Sequence, residues 1–281
     1  MYCLQNVRIR VYTHHAAMVP RVVVKLGGGL ITDKGSMKKF DSDSVEMVVE
    51  SITSVVEMGV PIIIVHGAGS FGHLLAKEWS ISEGVDVNIA EEQRIIVDKI
   101  RSDMRELNRL LIDKLTESGI KSESLAPSEW AVGTGPEFQG DVKNFQRVAN
   151  APIPVTFGDV VNTNDKLEFG ILSGDDLMLR LSRELEVSHC IFLIGDAEGV
   201  MSGPPNKKGS KLISRLEVGM EIEGPHYSEI DVTGGIGLKI DRARKIASDV
   251  EEVWILDGRC PERIVELLST GETIGTKILP Y

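Results

Sequence analysis

The sequence predicts an α/β protein, with an open, mainly parallel β-sheet sandwiched by helices. Two observations carry this. Short β-branched runs empty into glycine-rich loops, at Arg21 to Leu26 before Gly27–Gly29 and at Val60 to Val65 before Gly67–Gly72. Between them, Asp41 to Glu57 carries its apolar residues at helical spacing. Parallel neighbours need a crossover connection, and strands buried on both faces read as continuous apolar runs, so strand, loop, helix, strand, loop is the pattern of a parallel sheet.

Taken in order, Val45, Val48, Val49, Ile52, Val55 and Val56 form the apolar stripe of the first helix, which Gly59 stops. The longest helical pattern runs from Asn88 to Ser118, with Ile96, Ile100, Leu107, Leu111 and Leu115 on one stripe and Asn88 with Glu91 as a capping box. It can supply a core face and a ligand wall together. Ile153 to Phe157 reads as a strand, Leu172 to Leu185 as a helix opened by Ser173-Gly174-Asp175-Asp176, and Cys190 to Ile194 as a strand. A helix over Leu238 to Ser248 then leads to a strand at Val253 to Leu256. Gly203 to Gly209, rich in Pro, Gly and Lys, reads as an excursion near a binding site.

With 281 residues, 42% of them hydrophobic, the chain can bury a sizeable core in one large domain or two closely joined lobes. A net charge of −11 argues against nucleic acid as a partner, so an anionic substrate must be met by local positive charge. Cys3, Cys190 and Cys260 are odd in number and lack metal-ligand spacing, which excludes a disulfide framework or zinc site and fits a cytoplasmic protein. No apolar run approaches the ~20 residues of a membrane helix, so no membrane partner is expected. Residues 1–20 lack the apolar stretch of a signal peptide and are expected to form a disordered extension or the product of an upstream start, Met18 standing just before the first strand. Residues 21–281 are the expected domain.

Four segments carry chemistry. Lys25-Leu26-Gly27-Gly28-Gly29, with Lys34 beyond, places a cation and closely approachable backbone N–H groups at a strand end, which suits phosphate. The same run suits an ordinary strand-to-turn junction, and alone it leaves both readings open. It is not a Walker A loop, because the terminal Lys-Ser/Thr pair and the glycine spacing are missing. His66 to His73 is a second glycine loop, able to face the first across the carboxyl edge of the sheet. His73 is the site candidate there, with His66 a structural hydrogen-bonding residue. Ser173 to Asp176 reads alone as a helix cap. Beside Asp231-Val232-Thr233-Gly234-Gly235-Ile236-Gly237-Leu238-Lys239, however, it completes a set of lysines, glycines and carboxylates in separate loops. Phosphoryl transfer needs such a set, because it is driven by positioning and charge neutralisation.

On these residues, with Ile31-Thr32-Asp33-Lys34, Asp196 to Val200 and Gly275-Thr276-Lys277-Ile278, the sequence from Val22 to Ile278 resembles the amino acid kinase family, and within it the archaeal isopentenyl phosphate kinase branch. Gly72-His73 is the discriminating motif, since the phosphate-accepting branch carries histidine there. The resemblance implies the amino acid kinase fold, with an acceptor-binding lobe over residues 21–165 and an ATP-binding lobe over 166–281. It implies that Lys25 and Lys239 hold the ATP phosphates and the in-flight phosphoryl group, that Lys34 assists, and that Asp175 orients the lysines. His73 would bond the acceptor phosphate, with Gly28, Gly29, Gly69, Gly72, Ser173 and Gly174 around it. Asp196, Gly199, Val200, Gly234 and Gly235 would surround the nucleotide. Mg²⁺ would bridge the ATP phosphates, with no metal ligand assigned to the protein itself. The implied product is isopentenyl diphosphate, in an alternative mevalonate pathway, made by a homodimer. Gly29 stands where many relatives have serine, and Gly195 to Val200 departs from the usual threonine-aspartate-hydrophobic-aspartate-glycine-valine. Competing readings are a kinase for another phosphate or phosphonate acceptor, of the fosfomycin or furan-methyl phosphate type, and a catalytically silent nucleotide binder.

Overall fold

The structure is a computed structural model that describes residues 21–33, 35–147, 151–205, 207–217, 220 and 235–281. The expected N-terminal extension, Lys34 and Gly234 lie outside the described residues. From β1 (Val22–Leu26) the chain passes through the helical turn α1 (Gly28–Ile31) to α2 (Ser42–Glu57), β2 (Ile62–His66), α3 (Gly69–Glu78) and the long α4 (Ala90–Glu117). β3 (Ser122–Ser124), α5 (Pro127–Trp130) and the short strands β4 (Ala131–Val132) and β5 (Gln139–Gly140) follow. Next come β6 (Ile153–Phe157), the hairpin of β7 (Asp159–Asn162) and β8 (Phe169–Leu172), α6 (Gly174–Glu184) and β9 (His189–Ile194). The last elements are β10 (Arg215–Leu216), α7 (Gly235–Ala247), β11 (Glu252–Asp257), α8 (Glu262–Thr270) and β12 (Thr276–Ile278).

Eight strands form one sheet in the order β10-β12-β11-β9-β1-β2-β6-β3, and β7 and β8 join β4 and β5 in a four-stranded second sheet. Every pairing in the large sheet is parallel except β11 with β12. β1 lies between β2 and β9, so the loops after β1 and β2 leave the carboxyl edge side by side, where open α/β sheets bind ligands. Alternation along β1 divides the core: Val22, Val24 and Leu26 pack with α2 and α4 residues such as Ile52 and Leu107. Val23 faces the opposite layer with Leu177 of α6 and Ile246 of α7. Lys25 is two residues on from Val23, hence on that second face at the strand's end.

Three local expectations are corrected. The glycine loop ending at Gly72 is shorter than it reads, because α3 starts at Gly69 and buries Phe71 and Ala76 against the core. That packing outweighs the poor helix propensity of glycine. The capping box at Asn88 and Glu91 does not form. Ile89 is the N-cap position, Glu91 pairs with Arg94 in solvent, and the buried Gln93 side chain bonds Asp86 N and Trp79 O instead. A buried amide must find partners, whereas an exposed Glu has water. Finally, Leu172 belongs to β8, and the following helix begins after Ser173, whose hydroxyl accepts from Asp176 N at 3.1 Å.

Candidate active site

Lys25 is 6% exposed, so its ammonium needs a partner of opposite charge. The strand parity aims it at the start of α6, where Asp175 Oδ1 lies 2.6 Å from its Nζ. The same oxygen lies 3.4 Å from Lys239 Nζ, which α7 brings in from the other side. Burial would push the Asp175 carboxyl up, but Lys239 and Lys25 outweigh it and hold it down at about 2. The first turn of α6 adds its favourable dipole. Asp176 is occupied separately, bonded to Ser173 Oγ at 2.7 Å and to Arg242 Nε at 2.7 Å.

The two glycine loops meet backbone to backbone in front of this triad. A Cβ on Gly67 would stand 2.7 Å from Gly28 N, and one on Gly28 would overlap Gly69 N. Neither position tolerates a side chain without separating the loops. Thr32 Oγ1 locks the junction, donating to Gly28 O at 2.8 Å and accepting from Ser70 N at 3.0 Å.

A cavity of about 90 Å³ opens between these elements, several times the ~10–15 Å³ that one water needs. Its polar lining comes from Lys25, Gly28, Gly72, His73, Ser173, Gly174, Asp175 and Lys239. Its apolar lining comes from Ala76, Ile100, Met104, Val160 and Ile171. Such a cavity can hold a small anion with a short hydrocarbon tail.

Of the residues singled out in the sequence, Lys25, Gly28, Gly72, His73, Ser173, Gly174, Asp175 and Lys239 therefore come together around one cavity. Gly69 stands behind Gly28 and outside the lining, while Gly29 and Asp196 border a separate acidic cleft with Asp33, Asp41 and Asp43. Val200 is a core residue whose N–H donates to Thr276 Oγ1 at 2.8 Å, and Gly199 packs on the same threonine. Gly235 opens α7. His66 is fully buried, stacks on Phe157 at 5.0 Å, and places its ring nitrogens 3.0 Å from Gly67 O and 3.2 Å from Asn108 Oδ1. Desolvation lowers its pKa to about 4, so it is neutral at pH 7.

Sequence reasoning missed Asp159, a buried carboxylate in the cavity wall that accepts from Val160 N at 2.9 Å and Ser128 N at 3.2 Å. Burial raises its pKa despite those bonds. A lone Gly-Asp between apolar residues reads as a turn, and its only signal was its place beyond a predicted strand.

The family model described as Amino acid kinase family matches residues 20–257. The chain belongs to the amino acid kinase family. Within it, the chain is 30% identical to the isopentenyl phosphate kinase of Methanothermobacter thermautotrophicus, over 92% of this chain and 98% of that protein. It is 29% identical to the isopentenyl phosphate kinase of Thermoplasma acidophilum, over 88% and 95% of the two chains. A solved structure of isopentenyl phosphate kinase is similar with a TM-score of 0.78 and 27% identity, covering 92% of this chain and 99% of that one. This amino acid kinase family member also has the family's mainly parallel sheet flanked by helices.

Two outcomes follow for this family member. Asp175→Asn leaves two buried lysines without their anion, so unfolding free energy in a denaturant titration should fall by ~3 kcal/mol. Saturating ATP should recover part of that loss; unchanged stability would contradict the triad. His66 gives a pH signature. Its folded pKa, about 4, lies below the 6.5 of a free histidine, so the unfolded state takes up the proton first and stability falls as pH drops from 6.5 towards 4. The loss is ~3 kcal/mol over that window. Asp175 acts only at lower pH, since its lowered pKa loses stability as pH falls from 3.8 towards 2. Melting curves of His66→Gln across pH 7 to 4 should therefore be flatter than the parent's.

Proposed function

We propose that the protein is an isopentenyl phosphate kinase, which transfers the γ-phosphoryl group of ATP to the phosphate of isopentenyl phosphate, giving isopentenyl diphosphate and ADP. The observation that carries this is a single cavity lined both by Lys25, Lys239 and His73 and by Ile100, Met104, Val160 and Ile171. A phosphate with a five-carbon tail matches both kinds of lining. Fosfomycin-type or furan-methyl acceptors would leave the hydrocarbon wall less well filled, and a silent nucleotide binder has no use for an acceptor cavity beside the lysines. The relatives' names point the same way.

In this reading an oxygen of the acceptor phosphate attacks the γ-phosphorus while the bond to the β-phosphate oxygen breaks. The acceptor is already an anion, so no base is required. Asp175, held near a pKa of 2 by its lysines, is a poor proton acceptor and serves to aim them. Lys25 and Lys239, held in place by Asp175, present their charge to the transferring group, where preorganised cations stabilise the transition state without reorganisation. His73, on the first turns of α3, donates to the acceptor phosphate, and the Gly28 and Gly72 backbone closes its cradle. The nucleotide extends towards Asp196, Gly199, Val200, Gly234 and Gly235, with Lys34 assisting. Asp175 and Asp176 are both engaged by basic side chains, so Mg²⁺ would be held by ATP itself and would supply further charge neutralisation there. A cytoplasmic homodimer completes the proposal; no helix among the described residues is long and apolar enough to cross a membrane.

Steady-state kinetics with ATP and isopentenyl phosphate test the assignment. His73→Ala should lower turnover about a hundredfold through the loss of a charge-assisted contact, while His73→Gln, which keeps a donor, retains a measurable fraction. ATP affinity should be unchanged in both. Lys25→Ala should lower turnover about a hundredfold as well, by removing charge from the transferring group. Normal activity of His73→Ala, or a loss of ATP affinity in place of acceptor turnover, would move the acceptor phosphate elsewhere.

A further inference from the structure

The large apolar residues lining the cavity come from two separate parts of the chain. Ile100 and Met104 come from α4, and Val160 and Ile171 from the β7–β8 hairpin. The distance between those walls decides which tails fit, so whatever fixes the hairpin against the helix fixes specificity.

One side chain joins them. Arg101, next to Ile100 and outside the cavity lining, donates from Nε to Val160 O at 2.8 Å and from Nη2 to Asn162 Oδ1 at 2.8 Å. It thus holds the backbone of one wall residue while following another in the chain. Its side chain is 17% exposed and also lies 3.7 Å from Asp98, itself largely exposed. The neighbouring ties differ in kind. Arg94 reaches Glu168 at the hairpin, but both partners are nearly half exposed and solvent screens such pairs. Arg105 reaches Ser128 and Glu129 near α5 and does not touch the hairpin. A planar guanidinium can take two acceptors of one strand in fixed geometry, as Arg101 does, whereas a lysine offers a single point charge.

We propose that Arg101 is a positioning residue that sets the width of the acceptor pocket, and with it the preference among prenyl chain lengths, by fastening β7 to α4. This rests on the reading of the cavity as the site of a prenyl phosphate. Arg101→Met keeps the apolar stem and removes both hydrogen bonds, which frees the hairpin wall to move outward. Arg101→Lys keeps a donor able to reach the Val160 carbonyl.

The experiment measures kcat/KM and, separately, binding by calorimetric titration, for isopentenyl phosphate and the longer geranyl phosphate with wild type and both variants. In Arg101→Met the ratio of geranyl to isopentenyl phosphate should rise about tenfold, the scale on which pocket contacts discriminate hydrocarbon size. KM for ATP should not change, and Arg101→Lys should lie between Arg101→Met and wild type. An unchanged ratio in Arg101→Met, with a lowered melting temperature alone, would overturn the proposal and leave Arg101 a structural residue. The titrations keep the two claims apart. Wild type that binds both probes without phosphorylating either refutes the kinase reading, while the affinity ratio still decides the role of Arg101. Wild type that binds neither overturns both.

Discussion

The structure depends on one buried carboxylate oxygen, Asp175 Oδ1, shared by Lys25 and Lys239. Two ammonium groups brought together without it would repel by ~4 kcal/mol at about 4 Å and an effective dielectric of ~20, on top of their desolvation. With it, the cluster carries one net positive charge inside a chain whose total is −11. The local charge that an anionic substrate requires is thus assembled from three elements, β1, α6 and α7, and their arrangement around the sheet edge is what the chemistry needs from the fold. The glycine loops serve the same end. Gly28 and Gly67 approach backbone to backbone, and both line the same cavity as the triad.

Much of this was legible because parallel strands buried on both faces leave little room for ambiguity. Val22–Leu26, Ile62–His66, Ile153–Phe157, His189–Ile194 and Glu252–Asp257 are such strands. His73 could be singled out because two histidines bracket its glycine loop, Lys25 because its glycine run stands with the other loops of lysines and carboxylates, and Ser173 and Asp176 because a helix start needs a cap. The hairpin of Asp159–Asn162 and Phe169–Leu172 was not legible as a pair. Its strands are short and pair antiparallel in a second sheet, so neither a long apolar run nor a clear alternation marks them.

Contacts between distant residues are harder to read. The pairing of Asp175 with Lys25 and Lys239 is implied by the family resemblance and not by the residues beside Asp175, and nothing near Arg101 says that it reaches Val160. Periodicity placed Ile100 on the buried stripe of α4, but core and pocket walls use the same residue types, and only the fold shows that this stretch borders a cavity. Gly29 and Asp196 show the converse. Their loops leave the same sheet, yet both residues border the acidic cleft and not the cavity, and for Gly29 a turn of helix at Gly28–Ile31 directs successive residues to different sides.

In the proposed function one cavity holds the transferring and accepting phosphates between the triad and His73, with the hydrocarbon tail against α4 and the hairpin. A crystal structure with isopentenyl phosphate and an unreactive ATP analogue would place both ligands. The γ-phosphate is expected within hydrogen-bond reach of Lys25 and Lys239, the acceptor phosphate at His73, and the tail against Ile100 and Met104. An acceptor phosphate bound away from His73, or a tail turned towards the cleft at Gly29 and Asp196, would contradict it.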